Sequence, residues 1–285
     1  VGGLTIDFYE GYYVISWYSE GIYQFKNEVI QALTNIVNIK GLYEKKRFAS
    51  QGTYMEDDDF ISGVKAPEPL LVKENDMNFA VYLNDGAMVG IFLDQRDVRK
   101  TIRESYSQGK NVLNTFSYTG AFSVAAALGG ATKTTSVDLA NRSKSKTIEQ
   151  FSVNAIDYEA QDIIVEDVFN YFKYAVRKKL TFDLVILDPP SFARSKKHTF
   201  SAGKDYPELL VQAISITEKN GIIVASSNCS TFGMAKFKGF IEKAFKQTGG
   251  KYVIREEFSL PTDFKTINEY KEGDYLKVVF IEKLT

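Results

Sequence analysis

The spacing of apolar and polar positions changes near residue 92. Before it the chain is rich in tyrosine and alternates over short runs. Leu4-Thr5-Ile6-Asp7 and Tyr13-Val14-Ile15-Ser16-Trp17 alternate as strands do and predict a hairpin around Glu10-Gly11. From Glu20 to Val37, the residues Ile22, Phe25, Val29, Leu33 and Val37 recur at three- and four-residue steps, which predicts a helix. Phe79 to Leu83 and Met88 to Leu93 flank Asn84-Asp85-Gly86, residue types that tolerate the positive φ of a tight turn, so a second hairpin is predicted there. Gly52 to Pro69, with the acidic run Glu56 to Asp59, reads as a mobile loop. Residues 1–91 are thus expected to form a small α+β domain.

Beyond it, short apolar runs alternate with helical periodicity. Strands are predicted at 111–115, 133–138, 161–165, 183–187 and 220–226, and helices at 99–108, 121–129, 141–155, 168–179 and 205–219. That alternation implies an α/β domain over 92–285: a doubly wound, Rossmann-like parallel sheet with helices on both faces. Two more strand-like runs, 251–259 and 275–281, suit one sheet edge.

Composition narrows the class without naming a function. Of the 285 residues 44% are hydrophobic and 25% charged, ordinary for a soluble globular chain. No apolar run approaches the roughly 20 residues a membrane-spanning helix needs, and no secretory pattern is present, so no membrane partner is expected. The single cysteine, Cys229, excludes an intrachain disulfide and suits a reducing cytoplasm. A net charge of −1 argues against a strongly basic nucleic-acid binder, yet leaves local basic clusters: Lys40 with Lys45, Lys46 and Arg47; Arg177 to Lys179; and Arg194 to Lys197, beside which stands the sole histidine, His198. Each cluster read alone is a solvated face. The chain opens on Val1 in a strand-like run, so an upstream segment is expected.

Ligands of open α/β sheets bind beyond the carboxyl ends of the strands, where the strand order reverses. The first strand runs into Phe116-Ser117-Tyr118-Thr119-Gly120-Ala121-Phe122, where glycine lets the backbone approach a ligand and a helix N-terminus presents N–H groups. Asp138 ends the second strand, where a carboxylate can take two ribose hydroxyls. Asp167 follows the third, with Val168 and Phe169 placed to wall an adenine ring; a helix N-cap is an equally good account of Asp167. The fourth strand ends in Asp188-Pro189-Pro190-Ser191-Phe192. Two prolines stiffen this loop, leaving Asp188 to bond the edge of a flat base and Phe192 to stack on it. Cys229 follows the fifth strand and should neighbour Asp188. A buried structural thiol is the plainer alternative. No cluster has metal-ligand spacing, so no metal is expected.

These motifs resemble those of a known family. Asp-Pro-Pro-Ser-Phe after the fourth strand looks like motif IV of S-adenosylmethionine-dependent nucleic-acid methyltransferases of class I. The wider chain resembles the bacterial large-subunit rRNA cytosine-C5 methyltransferases, through Phe92 to Arg96, Phe116 to Phe122, Ser136 to Leu139, Asp188 to Phe192, Asn228-Cys229-Ser230 and Glu272 to Lys277. The resemblance implies S-adenosylmethionine as cofactor, held by Gln95, Arg96, Phe116, Tyr118, Thr119, Gly120, Asp138, Asp167, Val168 and Asp188. It implies large-subunit ribosomal RNA as partner, with 1–91 helping to grip RNA and an RNA-binding PUA domain preceding it; a homodimer is an assembly it allows. Pro189, Pro190, Phe192 and Tyr206 would then face the target base. Cytosine C5 is a poor nucleophile, so the implied chemistry adds a Cys229 thiolate at C6 while Asp188 holds N3. The wider class often carries a second cysteine in motif IV, where this chain has Ser191; the family it resembles lacks it too.

Rival readings are methylation of a purine amine by the Asp188 to Phe192 loop alone, which needs no cysteine, and an RNA-binding or ribosome-assembly factor that binds the cofactor without turnover. A dinucleotide oxidoreductase is disfavoured because the full glycine fingerprint is missing.

Overall fold

A computed structural model describes residues 2–48, 58–194, 199–267 and 269–285. The chain divides into two compact units, Val1–Ile91 and Phe92–Thr285.

In the first unit, β1 (Leu4–Tyr9), β2 (Tyr12–Trp17), β3 (Gly41–Lys46) and β4 (Phe60–Gly63) form one sheet in that order, with only β2 and β3 parallel. A parallel pair needs a crossover, and α1 (Glu20–Tyr23) and α2 (Lys26–Ile36) supply it. The predicted single helix is therefore two. Glu10 and Gly11 make the expected hairpin turn, both with positive φ. A hairpin not expected joins β5 (Leu70–Glu74) to β6 (Met77–Val81) around Asn75-Asp76, whose φ angles are 47° and 61°. At the expected one the Tyr82 N–H donates to the Val89 carbonyl at 2.8 Å, but among the described residues no second strand forms there. Asn84 instead accepts a hydrogen bond from the Asp59 backbone. The predicted loop 52–69 contains β4, and its members 52–57 lie outside the described residues. Ile15, Trp17 and Leu42 pack against Ile22, Tyr23, Val29 and Leu33.

Of the basic cluster of Lys40, Lys45, Lys46 and Arg47, Lys40 is exposed and Lys46 partly so, but Lys45 is not on the surface. Lys45 is fully buried and paired with Asp59, 6% exposed, and it also donates to the Gly86 carbonyl at 2.6 Å. Burial pulls the Lys45 pKa down and the Asp59 carboxylate pulls it back.

The second unit begins with α3 (Arg96–Thr101) and a wider helical turn, Ile102–Tyr106. It continues as β7 (Asn111–Thr115), α4 (Ala121–Leu128), β8 (Lys133–Asp138), α5 (Asn141–Ser152), β9 (Asp162–Val165), α6 (Val168–Lys178) and β10 (Phe182–Leu187). A small hairpin, β11 (Phe192–Arg194) with β12 (Thr199–Ser201), leads to α7 (Ala202–Ile216), β13 (Thr217–Ser227), α8 (Met234–Thr248), β14 (Tyr252–Phe258) and β15 (Lys277–Lys283). The sequence reading left α8 without an element, although Phe237, Ile241, Ala244 and Phe245 carry a helical apolar stripe and all four are buried.

The seven-stranded sheet has the order β14-β15-β13-β10-β7-β8-β9. Six strands run in one direction, β13, β10, β7, β8 and β9 as parallel neighbours, and β15 is antiparallel to both neighbours. This is the doubly wound α/β arrangement expected, and the order reverses between β7 and β10. Alternate side chains of β10 explain its two covered faces: Val185 and Leu187 join a core with α6, α7 and α8, whereas Leu184 and Ile186 meet Val98, Ile102 and Phe122.

Breaking a buried ion pair on one side costs about 3–5 kcal/mol. Asp59→Ala, which leaves the Lys45 ammonium without its carboxylate, is expected to destabilise the first unit by about that much. Lys45→Met with Asp59→Leu should recover most of it, as read by urea unfolding.

Candidate active site

Five strand ends, those of β7, β8, β9, β10 and β13, carry the candidate residues. At the end of β7, Phe116, Tyr118 and Gly120 all have positive φ (53°, 51° and 81°), so the chain turns sharply before α4. Only glycine fits the last position: a Cβ on Gly120 would lie 2.6 Å from the Thr147 methyl. The Gly120 N–H donates to the Ser117 carbonyl at 2.7 Å, and Thr119 is buried. Asp138, ending β8, accepts the Tyr118 N–H on one oxygen (2.9 Å) and the Ala140 N–H on the other (2.8 Å). Its carboxylate is thereby aimed at the turn after β7, with lone pairs to spare.

Asp167 does cap α6: one oxygen accepts from the backbone of Phe169 (2.9 Å) and Asn170 (3.2 Å). Its other oxygen has no partner among the described residues. Val168 is buried in the core, so the wall beside Asp167 is instead Phe169, which meets Phe116 and Phe200 at ring distances of 6.5 and 6.0 Å.

Leu187, the last residue of β10, pairs in parallel register with Ala225, and β13 runs on past it to Ser227. Asp188 follows immediately. The Gln95 side-chain N–H donates to Asp188 at 3.3 Å and to the Ser226 hydroxyl at 2.8 Å. Gln95 is 3% exposed, and its own carbonyl oxygen is buried without a hydrogen bond among the described residues. Arg96 points elsewhere: it forms a two-bond ion pair with Asp263. Pro189 is buried and Pro190 exposed, whereas Phe192 stands 63% exposed on β11. The Ser191 hydroxyl donates to the Asn228 side-chain oxygen at 2.6 Å, tying the loop after β10 to the loop after β13.

Cys229 lies in that second loop, 7% exposed, its sulfur 3.1 Å from the Thr231 hydroxyl. Tyr206, expected to face the base, is fully buried instead. Its hydroxyl donates to the Ser226 carbonyl (2.7 Å), with the Leu187 carbonyl 3.4 Å away, and burial raises its pKa well above the usual phenol value. It holds the two strand ends together from beneath. Of the basic loop, Ser195, Lys196, Lys197 and His198 lie outside the described residues.

Sequence reasoning did not single out Ser226, Asp94, Thr231 or Lys277. Ser226 ends an apolar run and reads as core, and Asp94 and Lys277 were visible only as members of longer motifs. Asp94 accepts from the Tyr275 hydroxyl at 2.9 Å, and burial raises its pKa. Lys277 donates to the Cys229 carbonyl at 2.6 Å. Among the described residues no group of three histidines, cysteines or carboxylates is placed to hold a metal, and no helix is long and apolar enough to cross a membrane.

Desolvation pushes Asp188 up to about 6, against the Ser226 hydrogen bond that favours its charge, with Asp94 adding repulsion and Arg99 attraction. A carboxyl raised above its unfolded value near 4 favours folding while protonated; that contribution is complete below about pH 4 and lost as pH rises through about 6. Asp188→Asn, which cannot ionise, is expected to be more stable than wild type at pH 8, by up to about 3 kcal/mol, and equal to it at pH 4. Thermal melts at the two pH values read this; the same offset at both would show that Asp188 is not desolvated.

The geometry fits S-adenosylmethionine: a left-handed glycine turn, a fixed carboxylate at the second strand end, a half-used carboxylate at the third, and a buried amide oxygen awaiting a donor. Comparisons with known proteins agree. The profile described as S-adenosylmethionine-dependent methyltransferase matches residues 3–270. The chain is 64% identical over 284 residues to the putative ribosomal RNA large subunit methyltransferase YwbD of Bacillus subtilis (strain 168), spanning 99% of this chain and 72% of that one. It is 31% identical to ribosomal RNA large subunit methyltransferase I of Aeromonas salmonicida (strain A449), over 96% of this chain and 70% of that one. The crystal structure of SMU.776, a putative methyltransferase complexed with SAH, superimposes with a TM-score of 0.91 at 44% identity, covering 99% of this chain and 72% of that chain. The chain belongs to the S-adenosylmethionine-dependent methyltransferase family.

Proposed function

We propose that this enzyme forms 5-methylcytosine in large-subunit ribosomal RNA, in the cytoplasm, using Cys229 as nucleophile. The observation that carries the reading is the chain's sole cysteine on the loop after β13, tied through Ser191 and Asn228 to the loop that carries Asp188. Relatives named as ribosomal RNA large subunit methyltransferases support the RNA substrate. The first unit is read as an aid to gripping that RNA.

S-adenosylmethionine supplies an electrophilic methyl carbon on a sulfonium. Asp138 and Asp167 are read as acceptors for its ribose hydroxyls and adenine amine, Gly120 and its neighbours as the close backbone approach, and Gln95 as an acceptor through its buried oxygen. Exposed Phe192 would stack on a base drawn out of its helix, which is how such enzymes reach a target atom. The Cys229 thiolate adds to C6, and the ring electrons move toward C5, which becomes the methyl acceptor. Asp188, near 6, can hold or give a proton at N3 and so neutralise the adduct. Loss of the C5 proton then restores the C5–C6 double bond and expels the thiolate.

One observation favours amine methylation as a second reading. Cys229 is nearly buried and its sulfur already meets Thr231, as a structural thiol would. The Asp188 to Phe192 loop could then serve an exocyclic amine without it.

Labelled methyl transfer to undermodified ribosomal RNA, followed by nucleoside mass spectrometry, separates these readings. Wild type is expected to make 5-methylcytosine, and Cys229→Ala to lose at least about 1,000-fold in rate. A methylated purine still made by the variant would establish amine methylation. RNA binding with no methyl incorporated would point to an assembly factor.

A further inference from the structure

Lys277 opens β15 opposite Ser227, and only 3% of its surface is exposed. Its ammonium donates to the carbonyls of Cys229 (2.6 Å), Phe232 (3.0 Å) and Tyr275 (2.5 Å), and it lies 5.0 Å from the centroid of the Phe232 ring. Three N–H bonds and no acceptor describe a protonated lysine; a neutral amine would turn its lone pair toward one of the three carbonyls. The charge is therefore kept, although burial favours the neutral form.

Lys45 shows how this chain compensates a buried lysine, by pairing it with a carboxylate. Among the described residues Lys277 has no such ion pair. Its positive charge is wrapped by the loop that bears the thiol. Desolvation lowers the Lys277 pKa, while Cys229 and then Asp274 are the charges that oppose the shift. All three lysine N–H groups are spent on carbonyls, so the direct hydrogen bond to the sulfur falls to Thr231, 3.1 Å away.

We propose that Lys277 is a positioning residue for Cys229, holding the 229–232 loop through two carbonyls and supporting an anionic sulfur with its charge, while the Thr231 hydroxyl donates to that sulfur. This rests on the reading of Cys229 as nucleophile. A cation beside a cysteine is a known means of raising its reactivity.

Because the chain has one cysteine, alkylation by iodoacetamide reads Cys229 alone and needs neither RNA nor turnover. The rate constant would be measured at one pH for wild type, Lys277→Met, Lys277→Arg, Thr231→Val and Thr231→Ser, each first checked for SAH binding by calorimetry. Lys277→Met is expected to react about tenfold more slowly and Thr231→Val several-fold more slowly, with Lys277→Arg and Thr231→Ser near wild type. Lys277→Met should also lower kcat for methyl transfer while leaving the KM for S-adenosylmethionine unchanged. A Lys277→Met rate equal to wild type, or equal falls in the Met and Arg variants, would overturn the role of the charge. Should Lys277→Met fail to bind SAH, the Arg variant decides the charge and the Thr231 pair decides the hydroxyl. If alkylation falls as expected yet Cys229→Ala still methylates RNA, Lys277 tunes a thiol that the reaction does not use, and the nucleophile reading fails alone. If Cys229→Ala is inactive while alkylation is indifferent to Lys277, the nucleophile stands and the Lys277 proposal fails.

Discussion

The parallel pairing of β10 with β13 is the constraint on which the candidate chemistry depends. It sets Leu187, the end of β10, beside Ala225, so Asp188 leaves the sheet next to Ser226, near the end of β13 and just before the Cys229 loop. Tyr206 braces that pairing by donating its one proton to the Ser226 carbonyl, with the Leu187 carbonyl also in reach, and the Ser191–Asn228 bond ties the loops that follow. Asp188 and the Cys229 loop become neighbours only because these bonds hold.

Removing water from this region makes each polar group costly unless it finds a partner. Gln95 bonds both Asp188 and Ser226, Tyr275 bonds Asp94, and Lys277 bonds three carbonyls. The same desolvation raises Asp188 to about 6, so near that pH it can take up or give a proton. The buried Gln95 oxygen, with no hydrogen bond among the described residues, is a place where a ligand donor would complete the network.

The ends of β7, β8 and β9, proposed to hold the cofactor, obey a different logic. There the backbone does most of the positioning: a left-handed glycine turn, and carboxylates of Asp138 and Asp167 oriented by main-chain N–H groups. Asp167 serves as cap with one oxygen and keeps the other available, so its structural and binding accounts do not compete.

The sequence by itself determined the α/β class, the strand–helix alternation beyond residue 92 and the residues standing at five strand ends, because period-2 and period-3.6 apolar spacing and turn chemistry are local properties. It missed the hairpin at Asn75-Asp76, which shows in the pairing of Leu70–Glu74 with Met77–Val81. It read a strand after Asn84-Asp85-Gly86, where the Tyr82 N–H bonds the Val89 carbonyl across the turn but no strand forms among the described residues there. It also left α8 unread despite its stripe. Only the tertiary structure decided that Tyr206 is a buried brace, that Arg96 serves Asp263 rather than the strand ends, that Val168 is core, and that Lys277 reaches Cys229. Those outcomes depend on which side chains a fold brings together across long sequence separations, and no local pattern encodes a long-range partner.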